Sequence, residues 1–557
     1  MSDWWKKAIV YQIYPQSFKD TNGDGIGDIP GIIEKLDYIK KLGANTIWLT
    51  PIFKSPLVDN GYDISDYEAI NPMYGTMEDM DELIKKAHSM KIRIIFDLVV
   101  NHTSDKHKWF QESKKSKDNP YSDYYIWEDP KPDGSAPSNL GSSFGGSAWT
   151  YVPERKQYYL HLFTPQQPDL NWENPKMRQD IYKMMRFWLD KGIDGFRMDS
   201  ISLISKERPF KDVPVEDNKK FGAYHYGTAN GPHIHDYLQE MNKEVLSKYD
   251  VLTVGETPRT SKKQALLYVT PSRHELNMIF QFDHMHVDNG PYGHYSDITY
   301  KMSDLRSSMA GWDKAVPWNA LYLGNHDQPR IVSRFGDDKQ FRYESATTLA
   351  MLQFLQRGTP YMFEGDELGM TNVDFKDMSE LKDLEAHNSY KFLRSCGFSK
   401  EKAFKWIKRT TRDNARTPMQ WDASHNAGFS NCQPWIRVND NYKEINVQNS
   451  LSTSKSVFRF YQKLIDLKLN NEVAIDGDFD LINADDSAVF SYIRTLGNKK
   501  LLVIGSLYNK KVKYNLPQNF QFKNSKLVLS NYDRKDLKLH NILYLEPYEG
   551  LTYILND

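Results

Sequence analysis

The sequence predicts an α/β protein, a (β/α)8 TIM barrel with an inserted domain after its third strand and an all-β sandwich domain at its C-terminus. Three observations lead to this prediction: short apolar segments alternate with amphipathic helical segments, eight such apolar segments occur, and polar side chains follow several of them. Strands that are apolar throughout and alternate with helices are typical of a parallel sheet covered on both faces. Eight units favour a closed barrel, and a doubly wound open sheet is the alternative.

The eight predicted strands follow one another over the first two thirds of the chain. They are residues 8–14, 46–49, 92–98, 195–198, 251–254, 278–281, 320–323 and 360–363. Residues 30–42 and 77–90 are predicted to be helices, and the first of them places Ile32, Leu36 and Ile39 on one face. Apolar residues that recur at three and four positions predict a helix with one buried side.

Two segments interrupt this alternation, and the pattern changes near the C-terminus. Residues 103–171 are polar and rich in Gly, Ser, Pro and aromatics, which predicts an inserted domain B. Residues 366–450 predict a long charged insertion after strand eight. Short alternating strands with turn signals predict a C-terminal β domain over residues 480–557. Residues 1–102 and 172–479 then form the barrel, domain A.

The composition is that of a globular protein with balanced charge. The chain has 557 residues, with 72 Lys and Arg against 73 Asp and Glu, and a formal net charge of −1. Nucleic-acid binding needs clustered positive charge, so we expect no nucleic-acid partner. Hydrophobic residues make up 39% and charged residues 26%, which excludes a disordered, collagen-like or coiled-coil chain. No segment approaches the roughly 18 apolar residues of a membrane span, so we expect no membrane partner.

Cysteine usage and the N-terminus predict the compartment. The only cysteines are Cys396 and Cys432, which excludes a disulfide framework and argues against a cysteine-based zinc site. No apolar leader follows the first seven residues. We therefore expect a cytoplasmic protein, either a monomer or a homodimer.

Charged and polar side chains occur where four of the predicted strands end. These segments are Asp97 to His102, Arg197 to Asp199, Gly255 to Glu256, and Asn325 to Asp327. A single acidic residue at a strand end is more often a helix cap or a partner in a salt bridge. In a barrel, however, the C-terminal ends of all the strands meet at one face, where the active site is built. Charged and polar side chains at four strand ends therefore predict a catalytic site.

Two carboxyl groups among these residues have the properties that glycoside hydrolysis requires. Arg197 and Asp199 are two positions apart on one strand, so their side chains leave the same face. The guanidinium favours the ionised carboxylate, as a nucleophile needs. Glu256 ends a neighbouring strand, where a nearby anion and partial desolvation raise the proton affinity, as a general acid needs. Glycoside hydrolases typically use one ionised and one protonated carboxyl group for catalysis.

The motifs around these residues resemble those of the α-amylase superfamily of glycoside hydrolases, and within it the oligo-1,6-glucosidase and α-glucosidase branch. Four motifs occur in order as DLVVNH at 97–102, GFRMD at 195–199, GE at 255–256 and NHD at 325–327. The branch is indicated by QPDLN at 167–171, DNGYDISDY at 59–67 and RDNARTPMQW at 412–421. The resemblance spans essentially the whole chain.

The resemblance implies a retaining α-glucosidase that releases glucose from the non-reducing ends of short oligosaccharides, isomalto-oligosaccharides above all. It implies that Asp199 is the nucleophile, that Glu256 is the acid and then the base, and that Asp327 holds the sugar hydroxyls at C2 and C3. It also implies that Asp59 and Arg412 pair at the bottom of the pocket and make it blind. The further substrate-binding residues that it implies are Tyr62, His102, Phe163, Gln167, Arg197, His326 and Arg416, with Phe144 near the entrance.

Ser200 departs from the pattern of the branch. There, Val after the nucleophile accompanies α-1,6 bonds, and a smaller Ala or Thr accompanies α-1,4 bonds. Serine lacks the branched methyl groups that narrow the leaving-group subsite. Our hypothesis is that Ser200 leaves this subsite permissive, so that isomaltose-type, maltose-type and sucrose substrates compete.

The segment from Asp20 to Asp28 predicts a structural calcium site. Oxygen ligands occur at alternate positions, and glycines permit sharp turns. The predicted ligands of one hard cation are Asp20, Asn22, Asp24, Asp28 and the carbonyl of Ile26. The oligo-1,6-glucosidase branch, which this chain resembles, carries Ca2+ in this loop. A solvated Asp/Gly turn is the alternative. We expect no organic cofactor.

Two other functions remain open at this stage. One is a sucrose isomerase or transglucosylase on the same scaffold. Such isomerases carry an Arg-Leu-Asp-Arg-Asp loop near the fourth motif, whereas this chain has Pro-Arg-Ile-Val-Ser at 329–333. The other is a non-catalytic scaffold, but scaffold members lack the catalytic carboxylates that this chain retains.

Overall fold

The computed structural model describes residues 3–216, 219–518 and 520–556. Its central element is a sheet of eight short strands with buried residues. These strands are β1 Val10–Ile13, β2 Thr46–Leu49, β3 Arg93–Val99, β4 Gly195–Asp199, β5 Leu252–Glu256, β6 Met278–Phe280, β7 Asn319–Leu321 and β8 Gly358–Phe363.

The strand order identifies the sheet as a barrel. The order is β6-β5-β4-β3-β2-β1-β8-β7, which is the sequence order followed around a ring. The pairs β3–β4, β4–β5, β5–β6, β1–β8 and β7–β8 are parallel. A doubly wound sheet reverses its order at a switch point, so the predicted (β/α)8 barrel is confirmed and the open sheet is excluded.

Eight helices follow the strands. They are α1 Ile29–Leu42, α2 Met77–Ser89, α3 Pro175–Lys191, α4 Ile234–Glu244, α5 Lys262–Val269, α6 Met302–Ala315, α7 Arg342–Phe354 and α8 Val457–Asn470. The ends of α1 show the local signals that fix such helices. Asp28 caps its N-terminus by accepting from the backbone N–H of Gly31, and Gly43 ends it with φ of 104°. No helix in the described ranges combines the length and the apolar character that crossing a membrane requires.

Shorter helices lie in the connections. They are Pro15–Phe18, Lys108–Ser113, Ile331–Phe335, Leu384–Ser395, Lys400–Thr410, Val447–Ser452 and Glu472–Asp476. The contacts divide the chain into two compact units. One is made of Trp48–His88 and Arg93–Phe282, and the other of Asp3–Ile47, Ser89–Ile92 and Asp283–Asp557.

The first unit contains β3 to β6 and the segment that follows β3. That segment holds a small antiparallel sheet of Trp127–Glu128, Trp149–Val152 and Gln157–Leu160. Its strands pack on a buried apolar cluster that includes Trp149, Leu160 and Leu203. A two-stranded ladder, Phe53–Lys54 with Asp66–Ile70, precedes α2.

The second unit contains β1, β7, β8, the insertion after β8 and the C-terminal β structure. The C-terminal strands form a five-stranded antiparallel sheet, in the order Asp478–Ile482, Val489–Leu496, Lys499–Ser506, Gly550–Asn556 and Asn524–Ser530. Val512–Asn515 and Ile542–Leu545 form a second ladder. Buried residues of both sheets, among them Leu502, Tyr514 and Leu543, form one core. The predicted all-β C-terminal domain is confirmed.

Candidate active site

Arg197 is the centre of a buried cluster of carboxylates in the first unit. It lies on β4, every residue of which is buried. Its Nη1 atom is 2.6 Å from Oδ1 of Asp97 and 2.7 Å from Oδ1 of Asp199, and its Nη2 atom is 2.9 Å from Oε2 of Glu256. One guanidinium therefore holds the predicted nucleophile and the predicted acid together.

Asp97 belongs to this cluster, although the sequence predicted no role for it. Parallel pairing sets it directly opposite Arg197, and its Oδ2 accepts from Trp48 Nε1 at 3.0 Å and from the Tyr62 hydroxyl at 3.2 Å. Burial raises the pKa of Asp97 to about 6, although Arg197 opposes the shift. The first of the four motifs contains Asp97, but only the fold shows that Asp97 pairs with Arg197.

Glu256 lies at the end of β5, and three donors converge on one of its oxygens. Its Oε2 atom lies 2.9 Å from Arg197 Nη2, 2.9 Å from the backbone N of Ser200 and 3.3 Å from Ser200 Oγ. Ser200 follows the last residue of β4 with φ of 43° and ψ of 35°. This left-handed turn directs its N–H towards the neighbouring strand.

A second group of predicted residues surrounds His102, which is buried. Its Nδ1 atom lies 3.2 Å from Asn101 Nδ2, which donates, and its Nε2 atom lies 3.1 Å from the carbonyl of Tyr62. Burial lowers the pKa of His102, so the ring is neutral at neutral pH. Gln167 Nε2 donates to Asp59 Oδ2 at 3.1 Å, and it lies 3.1 Å from His102 Nε2. Four predicted substrate-binding residues are thus in contact.

Two phenylalanines extend this group. The ring of Phe163 lies 5.0 Å from the His102 ring, and the ring of Phe144 lies 5.7 Å from that of Phe163. Both phenylalanines are only partly buried. Aromatic faces next to polar side chains are suited to the apolar faces of a sugar ring.

The second unit holds another group of predicted residues, around Asp327. Its Oδ1 atom accepts from Arg412 Nη1 at 3.2 Å and from Arg416 Nη2 at 2.8 Å, and its Oδ2 atom lies 3.1 Å from His326 Nε2. Desolvation alone raises the pKa of Asp327, but the His326 ring and both arginines hold it well below its usual range. Asp327 is therefore ionised at neutral pH. The Asp327 side chain is 29% exposed to solvent, so a ligand can reach it.

Gln12, Tyr14 and Asp383 support this second group, and the sequence predicted none of them. Gln12 Nε2 lies 2.7 Å from His326 Nδ1, and the Tyr14 ring stacks near the His326 ring at 6.3 Å. Asp383 accepts from Arg412 Nη2 at 2.6 Å. Gln12 lies on an apolar strand, and Asp383 caps a helix, so each had an ordinary structural explanation in the sequence. The predicted pairing of Asp59 with Arg412 stays a prediction.

The predicted calcium loop is closed by hydrogen bonds of its own. Asp20 accepts from the backbone N–H groups of Gly23 and Gly25 at 2.7 and 2.9 Å, and Asn22 and Asp24 each accept from the N–H two residues further along. Asp28 faces the N-terminus of α1. In the described part of the chain no three His, Cys, Asp or Glu side chains form a metal cage. A cation here would also need the Asn22 amide and the Ile26 carbonyl, which are both oxygen ligands.

Comparison with known proteins places these features in a family. The model of the alpha amylase catalytic domain matches residues 12–477. The chain belongs to the alpha-amylase family. A second model, the alpha-amylase SusG C-terminal domain, matches residues 489–551. The family that the sequence motifs indicated is therefore confirmed.

Relatives within the alpha-amylase family match over almost the full length. An oligo-1,6-glucosidase of Parageobacillus thermoglucosidasius is 51% identical over 554 residues, which cover 99% of this chain and 98% of that protein. The crystal structure of Bacillus licheniformis trehalose-6-phosphate hydrolase matches with a TM-score of 0.94 at 46% identity, over 100% of both chains. The structure of isomaltulose synthase from Erwinia rhapontici NX5 matches with a TM-score of 0.96 at 44% identity, also over 100% of both chains.

Proposed function

We propose that this member of the alpha-amylase family is a retaining, exo-acting α-glucosidase that releases glucose from the non-reducing ends of short α-glucosides. The observation that carries the proposal is the single guanidinium of Arg197, which pairs with both Asp199 and Glu256. Two carboxyl groups at one site, one to attack and one to donate a proton, are what a retaining glycosidase requires. The full-length likeness to an oligo-1,6-glucosidase supports the same class.

The proposed reaction has two steps. In the first, a carboxylate oxygen of Asp199 bonds to the anomeric carbon, the bond from that carbon to the glycosidic oxygen breaks, and Glu256 gives its proton to the leaving oxygen. In the second, Glu256 removes a proton from water, the water oxygen bonds to the anomeric carbon, and the bond to Asp199 breaks. Two inversions return glucose in the α configuration.

The other residues are assigned to binding and charge. Arg197 keeps Asp199 ionised, because an opposite charge at hydrogen-bond distance favours the charged form. Asp327, ionised between Arg412 and Arg416, accepts sugar hydroxyls. Gln167 contacts both Asp59 and His102, and all three are assigned to binding of the same sugar.

Isomalto-oligosaccharides are the proposed substrates, with α-1,4 glucosides and sucrose as competitors. The test is to measure kcat/KM on isomaltose, isomaltotriose, panose, maltose, sucrose, trehalose and trehalose 6-phosphate. Proton NMR of the first product distinguishes the mechanisms, since a retaining enzyme releases α-glucose first. Release of β-glucose first, or failure to cleave any α-glucoside, would contradict the proposal.

A sucrose isomerase is the alternative, and one observation favours it, the likeness to an isomaltulose synthase. The segment at 329–333 lacks the charged loop of such isomerases, which favours hydrolysis. Chromatography of the products formed from sucrose separates the two. Hydrolysis yields equal amounts of glucose and fructose, whereas isomerisation yields a disaccharide.

A structural calcium ion in the loop of Asp20 to Asp28 is also proposed, with Asp20, Asn22, Asp24, Asp28 and the Ile26 carbonyl as ligands. Support comes from the alternating oxygen ligands and the sharp turns at Gly23 and Gly25, whose φ angles are 81° and 87°. The measurement is the melting temperature with calcium and with a chelator. We expect a higher value with calcium in the parent and no difference in Asp24→Ala. Equal melting temperatures in the parent would exclude the ion.

A cytoplasmic location is proposed from the thiols. Cys396 and Cys432 are both free and exposed, and exposed thiols persist as such in a reducing compartment. Fractionation of the source cells tests this, since activity in the culture medium or at the cell envelope would contradict it.

A further inference from the structure

Ser200 donates to the proposed general acid in two ways. Its backbone N–H and its Oγ both face Oε2 of Glu256, at 2.9 and 3.3 Å. Ser200 is 6% exposed, and the Glu256 side chain is 13% exposed, so little water competes for these bonds. Hydrogen bonds to a carboxylate are strong when the site is dry.

Arg197 Nη2 forms an ion pair with the same oxygen at 2.9 Å. Two hydrogen bonds and one ion pair therefore converge on Oε2, and these three contacts disfavour a proton on that oxygen. When Glu256 is protonated, the proton must lie on Oε1. The three donors direct the acidic proton to one defined oxygen of the carboxyl group.

We propose that the Ser200 hydroxyl is a positioning group for Glu256, which sets how tightly Glu256 holds its proton and keeps that proton on Oε1. This inference rests on the proposed role of Glu256 as acid and base. It differs from the effect of side-chain size on the leaving-group subsite, because it concerns the hydroxyl and not the volume of the residue.

Glu256 gains negative charge during the first step. As the proton passes from Oε1 to the glycosidic oxygen, the bond from that oxygen to the anomeric carbon breaks and Glu256 becomes a carboxylate. A hydroxyl that donates to Oε2 stabilises this product state more than the protonated state. Without it, the acid holds its proton more tightly.

Other charged groups around Glu256 remain the same when the hydroxyl is removed. Arg197 and Asp199 face it from β4, and Asp97 lies behind Arg197 on β3. On the other side, the uncharged residue Phe280 of β6 lies opposite Glu256. A comparison of Ser200→Thr with Ser200→Val, which are alike in size, therefore reports the hydroxyl.

The test uses Ser200→Thr and Ser200→Val, which have the same shape and differ by one hydroxyl. Both are β-branched, so both experience the same strain at φ of 43°. The measurement is kcat/KM on isomaltose against pH, whose alkaline limb reports loss of the proton from the acid. We expect the limb of Ser200→Val to lie about 0.5 to 1 pH unit above that of Ser200→Thr. Ser200→Ala should follow Ser200→Val.

The leaving group provides a second measure that a purely structural role would not affect. A p-nitrophenyl α-glucoside needs little protonation, so the Thr and Val variants should differ less on it than on isomaltose. Ser202→Ala is the control, because this buried hydroxyl donates to the Pro258 carbonyl and not to Glu256. Its alkaline limb should match that of the parent.

The outcomes separate this inference from the function on which it rests. Superimposable alkaline limbs for Ser200→Thr and Ser200→Val would overturn the role of the hydroxyl, even if Glu256→Gln abolishes hydrolysis of isomaltose. Near-normal hydrolysis by Glu256→Gln would instead remove Glu256 as the acid. Circular dichroism and melting temperatures of all the variants confirm that each is folded.

Discussion

Arg197 Nη1 lies 2.7 Å from Oδ1 of Asp199, and the two side chains leave the same face of one barrel strand. The same nitrogen lies 2.6 Å from Asp97. Asp97, on the next strand, holds the Arg197 guanidinium in place. Asp199 therefore lies next to a positive charge whose position is already fixed. This opposite charge favours the ionised form of Asp199, the state that its proposed role as nucleophile requires.

Removal of the Asp199 carboxylate should abolish turnover while the fold survives. We expect Asp199→Asn to lower kcat by about 1,000-fold or more, as loss of a nucleophile does in other enzymes. In Asp199→Gly, azide should restore cleavage of an activated α-glucoside and yield β-glucosyl azide, because it attacks from the vacated side. Near-normal kcat in Asp199→Asn, or azide product in the α configuration, would contradict the assignment.

A charge next to Asp59 should disturb the sugar-binding group without affecting the carboxylates on Arg197. Gln167 is fully buried and donates to Asp59, so Gln167→Glu replaces a donor with a second anion. We expect KM to rise roughly 10-fold or more, because like charges at contact distance repel. The matched control is Gln166→Glu, since Gln166 is exposed. An equal effect of the two variants would exclude a specific role for Gln167.

Replacement of Ser200 by a branched residue should change the preference for linkage. Ser200→Val replaces the hydroxyl with a methyl group and adds a second methyl group next to the proposed nucleophile, and we expect the ratio of kcat/KM on isomaltose to that on maltose to rise about 10-fold. Ser200→Ala, which adds no bulk, should leave the ratio near that of the parent. An unchanged ratio in Ser200→Val would refute the role of residue size in the subsite.

Asp366 should make the stability of the second unit depend on pH. Burial raises its pKa from 3.8 to about 7, with Arg330 opposing the shift. The folded state then holds a proton that the unfolded state has lost, so unfolding releases it. The raised pKa contributes up to about 4 kcal/mol to the free energy of unfolding below about pH 4. This contribution is lost as the pH rises to about 7.

Asp366→Asn removes this ionisation. We expect the free energy of unfolding of the variant, relative to the parent, to increase between about pH 4 and about pH 8. Urea titration at several pH values measures it. Asp533→Asn is the control, because Asp533 is exposed, and its difference from the parent should not vary with pH. A constant difference for Asp366→Asn would contradict the raised pKa.

The barrel and most of the candidate site were accessible from the sequence because their signals are local. Apolar segments of strand length recur eight times, and the motif residues lie in or shortly after the C-terminal parts of strands β3, β4, β5 and β7. Residue type, strand position and the family resemblance together led to the prediction that Asp199 and Glu256 act as a pair, and their roles stay predictions. The structure then showed the shared partner, Arg197, that joins them.

The supporting residues were not accessible in this way. Gln12 contacts His326 across 314 positions of sequence, and Asp383 meets Arg412 across 29. Each occupies an ordinary local position, a buried strand and a helix cap, so no pattern distinguished it. The calcium loop, the domain boundaries and the pairing of Asp59 with Arg412 stay predictions.

The sequence by itself determined the number of βα units, the family motifs and the residue types at the strand ends, because hydrophobic periodicity and strand direction act over short stretches of chain. Only the tertiary structure decided which donors meet which carboxyl oxygens. Ser200 reaches Glu256 through a left-handed turn and the parallel pairing of β4 with β5, across 56 positions. Hydrogen bonds depend on distances of a few tenths of an ångström, and such distances exist only once distant strands are packed side by side.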